Sequence, residues 1–144
     1  MGMQGSMGMQ GLRFAHVAFR VADIQRTLRW YDEVFGAKLV YHAEAVGPKP
    51  EYYYAEFRHG QMIEFFTGGK PAPEPLPDAT GFVHFSLLVD DIQAAIAHLQ
   101  AVGATIVRPY FEGRAKQRII YVGDPDGNVI ELMEIPADSP IHRA

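Results

Sequence analysis

The chain predicts an α+β fold of two tandem βαβββ modules, whose curved mixed sheets form half-barrels around a shared metal site. Three observations carry that expectation. The first is an internal repeat: Phe14-Ala15-His16 through Val21-Ala22-Asp23-Ile24-Gln25 returns 68 residues later as Phe82-Val83-His84 through Val89-Asp90-Asp91-Ile92-Gln93. Further on, Gly60-Gln61-Met62-Ile63-Glu64 returns at an offset of 67 as Gly127-Asn128-Val129-Ile130-Glu131, so a single deletion separates the copies. The second is that each copy runs from strand periodicity to helical periodicity and back to strands. The third is a run with prolines at 71, 73, 75 and 77, which no central strand or helix interior accommodates and which therefore links the copies.

Taken in order, residues 1–11 (MGMQGSMGMQG) have no periodic hydrophobicity and read as a tail outside the fold. From Leu12 to Val21 apolar and polar or small residues alternate, which puts His16, Ala18 and Arg20 on one face of a strand. Asp23 can cap a helix with Ile24, Leu28, Tyr31 and Phe35 on its apolar face, and Gly36 suits its exit. Strands are expected over 38–44, 51–58 and 61–67, the last two joined through His59-Gly60. The first module thus occupies 12–67 and the linker 68–80. The second module, 81–135, repeats the order: a strand over 81–89 and a helix capped by Asp91, with Ile92, Ala95, Ile96, Leu99 and Val102 on one face and Gly103 at its end. Strands follow near 104–111, 117–123 and 128–135, the last pair joined by the turn Asp124-Pro125-Asp126-Gly127. Residues 136–144 read as a frayed C-terminal tail.

Composition narrows the chemistry. With 144 residues, 48% of them hydrophobic, the chain can bury one core without cross-links. Cysteine is absent, which removes thiolate catalysis and Cys-type zinc sites and leaves His nitrogen and carboxylate oxygen as the metal donors. A net charge of −4 with no basic run argues against nucleic acid or an anionic membrane as partner and favours a small molecule. No export signal or spanning segment is read in the sequence, so the expected location is cytoplasmic.

The repeat places one histidine early and one glutamate late in each copy: His16 and Glu64, His84 and Glu131. Strand parity aligns Glu64 with Met62 and Phe66, and Glu131 with Val129 and Met133, so each carboxylate points where apolar neighbours point. An inward carboxylate costs several kcal/mol unless paired or bound to a cation, and a divalent ion would compensate both. Two imidazole nitrogens with two carboxylate oxygens leave open coordination positions on a divalent ion, suiting zinc, nickel, cobalt, manganese or Fe(II), in a catalytic more than a structural role; affinity order alone does not choose among them. Taken singly, a strand histidine is more often a hydrogen-bonded core residue and a strand glutamate a surface charge; it is the fourfold match across the repeat that favours a ligand set.

On these residues the chain resembles the vicinal oxygen chelate superfamily, which includes glyoxalase I, fosfomycin-resistance proteins and extradiol dioxygenases. The resemblance spans residues 12–135 and rests on His16-Val17-Ala18-Phe19-Arg20-Val21-Ala22-Asp23, on the helix from Leu28 to Gly36, on His84 through Asp90, and on Asp124 through Glu131. It is closest to glyoxalase I, which fills all four ligand positions. It implies a lyase or isomerase acting on a substrate that chelates the metal through neighbouring oxygens, such as a glutathione adduct of a 2-oxoaldehyde, through an enediolate. Glu131 would be the proton-transfer base and Glu64 would serve the opposite face. Arg20 matches an arginine that holds a glutathione carboxylate, while Gly68 stands where glyoxalase I supplies an asparagine. An extradiol dioxygenase would bind Fe(II) through His16, His84 and Glu131, with Tyr121 at its tyrosine position. Its catalytic histidine has no counterpart in 112–118. A metal-free binding protein of the bleomycin-resistance kind is the third alternative, and it gives no reason to keep four ligand positions.

Among the remaining residues, the run Tyr52-Tyr53-Tyr54 must turn at least one ring to the concave side, and Tyr53 is the candidate for the substrate pocket. Ordinary strand propensity explains the run almost as well. Arg108, Arg114, Lys116 and Arg118 concentrate positive charge, and Arg108 is the candidate for a substrate anion. A solvated face is the plainer reading of that group. His42, His59 and His98 have no partners across the repeat and read as structural or exposed. Half-barrel edges need covering, and a homodimer is the expected solution, with the two modules of one site drawn from one chain or from two.

Overall fold

In the computed structural model, residues 8–58 and 60–143 are described; residues 1–7 of the expected tail, His59 and Ala144 lie outside them. The element order is β1 (His16–Arg20), α1 (Ile24–Phe35), β2 (Lys38–Ala43), β3 (Tyr52–Glu56), β4 (Met62–Phe66), β5 (Phe85–Leu88), α2 (Ile92–Ala101), β6 (Thr105–Glu112), β7 (Arg118–Gly123) and β8 (Val129–Glu134). The two halves form equivalent four-stranded sheets, β1-β4-β3-β2 and β5-β8-β7-β6. In each, the first strand runs parallel to the last and the other neighbours are antiparallel. The duplicated βαβββ architecture is thus as the sequence predicts.

The caps explain where the helices start. Asp23 accepts from the Arg26 N–H and Asp91 from those of Gln93 and Ala94, satisfying donors that the first turn leaves free. Gly36, at φ 71°, closes α1 in the left-handed conformation that a side chain disfavours. The inward residues of both sheets, Tyr53, Ala55, Ile63 and Phe65 in the first and Ile120, Val122, Ile130 and Leu132 in the second, form one core with Tyr31 and Val34 of α1 and Ile92 and Leu99 of α2; the Tyr31 ring lies 5.1 Å from that of Phe65, and α2 lies against β7 and β8. Alternation then forces Met62, Glu64 and Phe66 onto the opposite, uncovered face of β4.

The modules meet through named polar contacts. The Tyr31 hydroxyl donates to Asp124 Oδ2 at 2.8 Å, and the same aspartate accepts the N–H groups of Asp126 and Asn128, holding the Asp124–Gly127 turn. Burial, with the Asp124 charge second, pushes the Tyr31 phenol far above its ordinary range, so the tyrosine stays protonated. Arg26 reaches Asp126 at 3.3 Å, and His98 Nε2 lies 2.8 Å from the Val34 carbonyl oxygen. His98 is therefore a joint between modules.

Two differences from the sequence reading have physical causes. β1 begins at His16 and β5 at Phe85, several residues later than the alternation suggests: β4 begins at Met62, the partner of His16, and β8 at Val129, opposite His84, so the residues before the two histidines have no strand beside them. Phe14, Phe82 and Val83 consequently stand 93%, 65% and 76% exposed. The expected frayed end is tied down: the buried Ser139 donates from Oγ to the Ala115 carbonyl, and Lys116 pairs with Asp138.

Candidate functional site

Each module carries one histidine beside one glutamate on its uncovered sheet face. His16 Nε2 lies 3.3 Å from Glu64 Oε1, and His84 Nε2 lies 3.6 Å from Glu131 Oε1. The carboxylates are only 12% and 10% exposed at the side chain, yet neither pairs with a lysine or arginine among the described residues. Sheet register builds the surroundings. Ala18, Glu64, Tyr54 and Tyr41 lie side by side across β1, β4, β3 and β2, and Ser86, Glu131, Tyr121 and Arg108 do so across β5, β8, β7 and β6.

A tyrosine faces each carboxylate. Burial first, then the Glu64 charge and a hydrogen bond to it, raises the Tyr54 phenol above its usual range; burial and Glu131 do the same to Tyr121. Tyr54 is edge-on to His16 at 5.3 Å between ring centres, and Tyr121 sits 5.3 Å from His84. Both phenols thus remain protonated hydrogen-bond donors beside acceptor carboxylates.

The structure sorts the residues singled out above. It joins His16 with Glu64 and His84 with Glu131, but no three of the described His, Asp and Glu side chains converge on one point within the chain. His16 and His84 both border a groove of about 1010 Å³ between the β1 and β5 edges, lined also by Phe14, Met62, Phe82 and Leu88. Tyr53 is corrected: it turns into the core, 8% exposed and stacked on His42 at 4.0 Å, because Tyr52 and Tyr54 take the parity of Glu64. His42 in turn lies 2.8 Å from Glu51. Arg20 stacks over Phe66 and donates to the Thr67 carbonyl at 3.0 Å. Arg118 and Lys116 are committed to Glu134 and Asp138, whereas Arg108 lies over the Phe111 ring at 3.5 Å.

One site residue went unread in the sequence. Ser86 Oγ donates to Glu131 Oε1 at 2.8 Å, and the equivalent place in the first module is Ala18, which has no hydroxyl. Its parity with His84, two residues earlier, was the available signal.

Tandem βαβββ modules that each present a histidine and a glutamate on the open sheet face define the class of fold. The chain belongs to the Glyoxalase/Bleomycin resistance protein/Dioxygenase superfamily, whose profile matches residues 13–132. It is 31% identical to a probable lactoylglutathione lyase of Vibrio parahaemolyticus over 88% of this chain and 93% of that protein. It is 28% identical to a lactoylglutathione lyase of Arabidopsis thaliana, where 85% of this chain spans 44% of the plant protein. Among solved structures, a glyoxalase family protein from Enterococcus faecalis superposes with a TM-score of 0.76 at 25% identity, covering 88% of this chain and all of that one.

Proposed function

We propose that the protein is a metal-dependent lyase or isomerase of glyoxalase type, and that each centre takes His16 and Glu64 from one chain and His84 and Glu131 from a second copy. The observation that carries this reading is the pair of equivalent half ligand sets: two imidazole–carboxylate couples with shielded carboxylates, neither paired with a lysine or arginine and the two not converging on one point among the described residues. Their donor set fits a divalent ion of the zinc or nickel kind, since harder ions take more oxygen and softer ones want sulfur. The exposed apolar residues flanking the two histidines, Phe14, Phe82 and Val83, suit burial against a second copy, and edge strands β1 and β5 supply the place for it. A two-fold homodimer makes two such centres at once.

A divalent ion held there would stabilise negative charge developing on two neighbouring substrate oxygens. The chain's own residues do the rest. Glu131 takes a proton from one substrate carbon and returns it to the next, and Glu64 faces the substrate from the opposite side. The Tyr54 and Tyr121 phenols lie opposite these carboxylates in the sheet register and stay protonated beside them, while Ser86 orients Glu131. Phe14, Met62 and Phe82 give the groove beside the histidines an apolar lining. The naming of relatives as lactoylglutathione lyases supports a glutathione–methylglyoxal adduct as the first substrate to assay.

Metal analysis of the purified protein, followed by turnover of that adduct in chelated and in zinc- or nickel-reconstituted samples, tests the reading. About one ion per chain with metal-dependent turnover is expected. Metal uptake without turnover would overturn the lyase assignment and make catechols with oxygen the next assay. Failure to bind metal would overturn the centre itself. Ser86→Ala gives a finer check: losing the hydroxyl that orients Glu131 is expected to weaken metal affinity about 10- to 100-fold, read by competition with a chelator.

A further inference from the structure

The two half-sites differ at the outer end of their cross-strand rows. In the second module a continuous stack leads outward from His84: its ring lies 5.3 Å from Tyr121, Tyr121 is edge-on to Phe111 at 5.6 Å, and the Arg108 guanidinium lies 3.5 Å over Phe111. In the first module the place of Arg108 is held by the neutral Tyr41. The neighbouring cations are neutralised, Lys116 by Asp138 and Arg118 by Glu134, but Arg108 has no carboxylate partner among the described residues. A guanidinium held 3.5 Å over an aromatic ring has lost much of its rotamer freedom already, while its N–H groups can still donate to a planar or tetrahedral oxyanion. Arg108 lies in the same cross-strand row as Tyr121 and Glu131, two strands from the carboxylate and roughly 10 Å from it at the backbone by ordinary strand spacing.

We propose that Arg108 binds an oxyanion, carboxylate or phosphonate, carried by the same substrate whose neighbouring oxygens reach the His–Glu centre. The substrate class is then an anionic vicinal-oxygen chelator, oriented with its charge toward β6. This rests on the metal-centre reading above, and the test separates the two.

Three hydroxamates, each a bidentate oxygen chelator, serve as probes: acetohydroxamate with a neutral tail, succinic monohydroxamate with a carboxylate, and a phosphonopropionic hydroxamate. Each is titrated calorimetrically into the zinc-loaded full chain, as wild type, Arg108→Ala and Arg108→Lys. Wild type is expected to bind one or both anionic probes at least about tenfold tighter than acetohydroxamate, a factor typical of a charge-assisted hydrogen-bonded pair. Which of the two gains more identifies the oxyanion. Arg108→Ala should lose the preference while keeping its zinc content and acetohydroxamate affinity, and Arg108→Lys should recover only part of it because a point charge lacks the fork. Equal affinities in wild type, or an undiminished preference in Arg108→Ala, would overturn the inference alone. A wild-type chain that takes up no zinc would overturn the metal centre, and this inference with it.

Discussion

The Glu64→Gln, Glu131→Gln double variant is expected to bind no divalent metal while folding as the wild type does. Each substitution keeps side-chain size and the capacity to accept from Tyr54, Tyr121 or Ser86, but removes the anionic oxygen that a divalent ion requires. Neither glutamate has a lysine or arginine partner among the described residues, so neutralising them strands no buried cation, and metal-free stability should be unchanged or slightly raised. Metal separates the two proteins. At a thousandfold excess over its dissociation constant an ion bound only by the native state adds about 4 kcal/mol. Wild type should gain about that much in urea unfolding, and the variant nothing. Wild-type metal content in the double variant would place the centre elsewhere.

Much of this geometry is legible in the amino-acid sequence because it follows from period and symmetry. The offsets of 68 and 67 place His16 with His84 and Glu64 with Glu131, and strand parity turns both carboxylates away from the helices that cover the other face. Caps at Asp23 and Asp91 locate the start of both helices to the residue, whereas α2 ends at Ala101 with Val102 as its cap, one residue earlier than the apolar face suggests. Parity alone could not decide among three consecutive tyrosines, since the alternation reads equally well in either phase; the stacking of Tyr53 on His42 and its burial beside Ala55 make that choice. Ser86 shares the parity of His84, but parity gives only its face; its partner Glu131 follows from the register of β5 against β8.

The relation between modules was the least legible feature. It depends on single side-chain contacts between residues far apart in the chain, Tyr31 with Asp124 and His98 with the Val34 carbonyl, which no repeat or periodicity announces. The first joins α1 to the turn after β7 and the second joins α2 to α1, and residues of both β1 and β5 line one groove. The two carboxylate couples are left separate, each with half of a ligand set. The proline linker that joins the modules fixes neither outcome, since an extended segment is compatible with either arrangement.

A centre shared between two chains makes a demand that a centre within one chain does not. One variant carries His16→Ala and Glu64→Gln, destroying the first half-set; the other carries His84→Ala and Glu131→Gln, destroying the second. Alone, each forms homodimers in which every centre lacks half its ligands. When the two are co-refolded at equal amounts and pair at random, half the dimers are mixed, and each mixed dimer has one centre with both halves intact. The measurement is metal bound per chain in that mixture. About one quarter of the wild-type content is expected, with none in either variant alone. A mixture that binds no more metal than its separate components would contradict the two-chain centre and return all four ligands to a single chain.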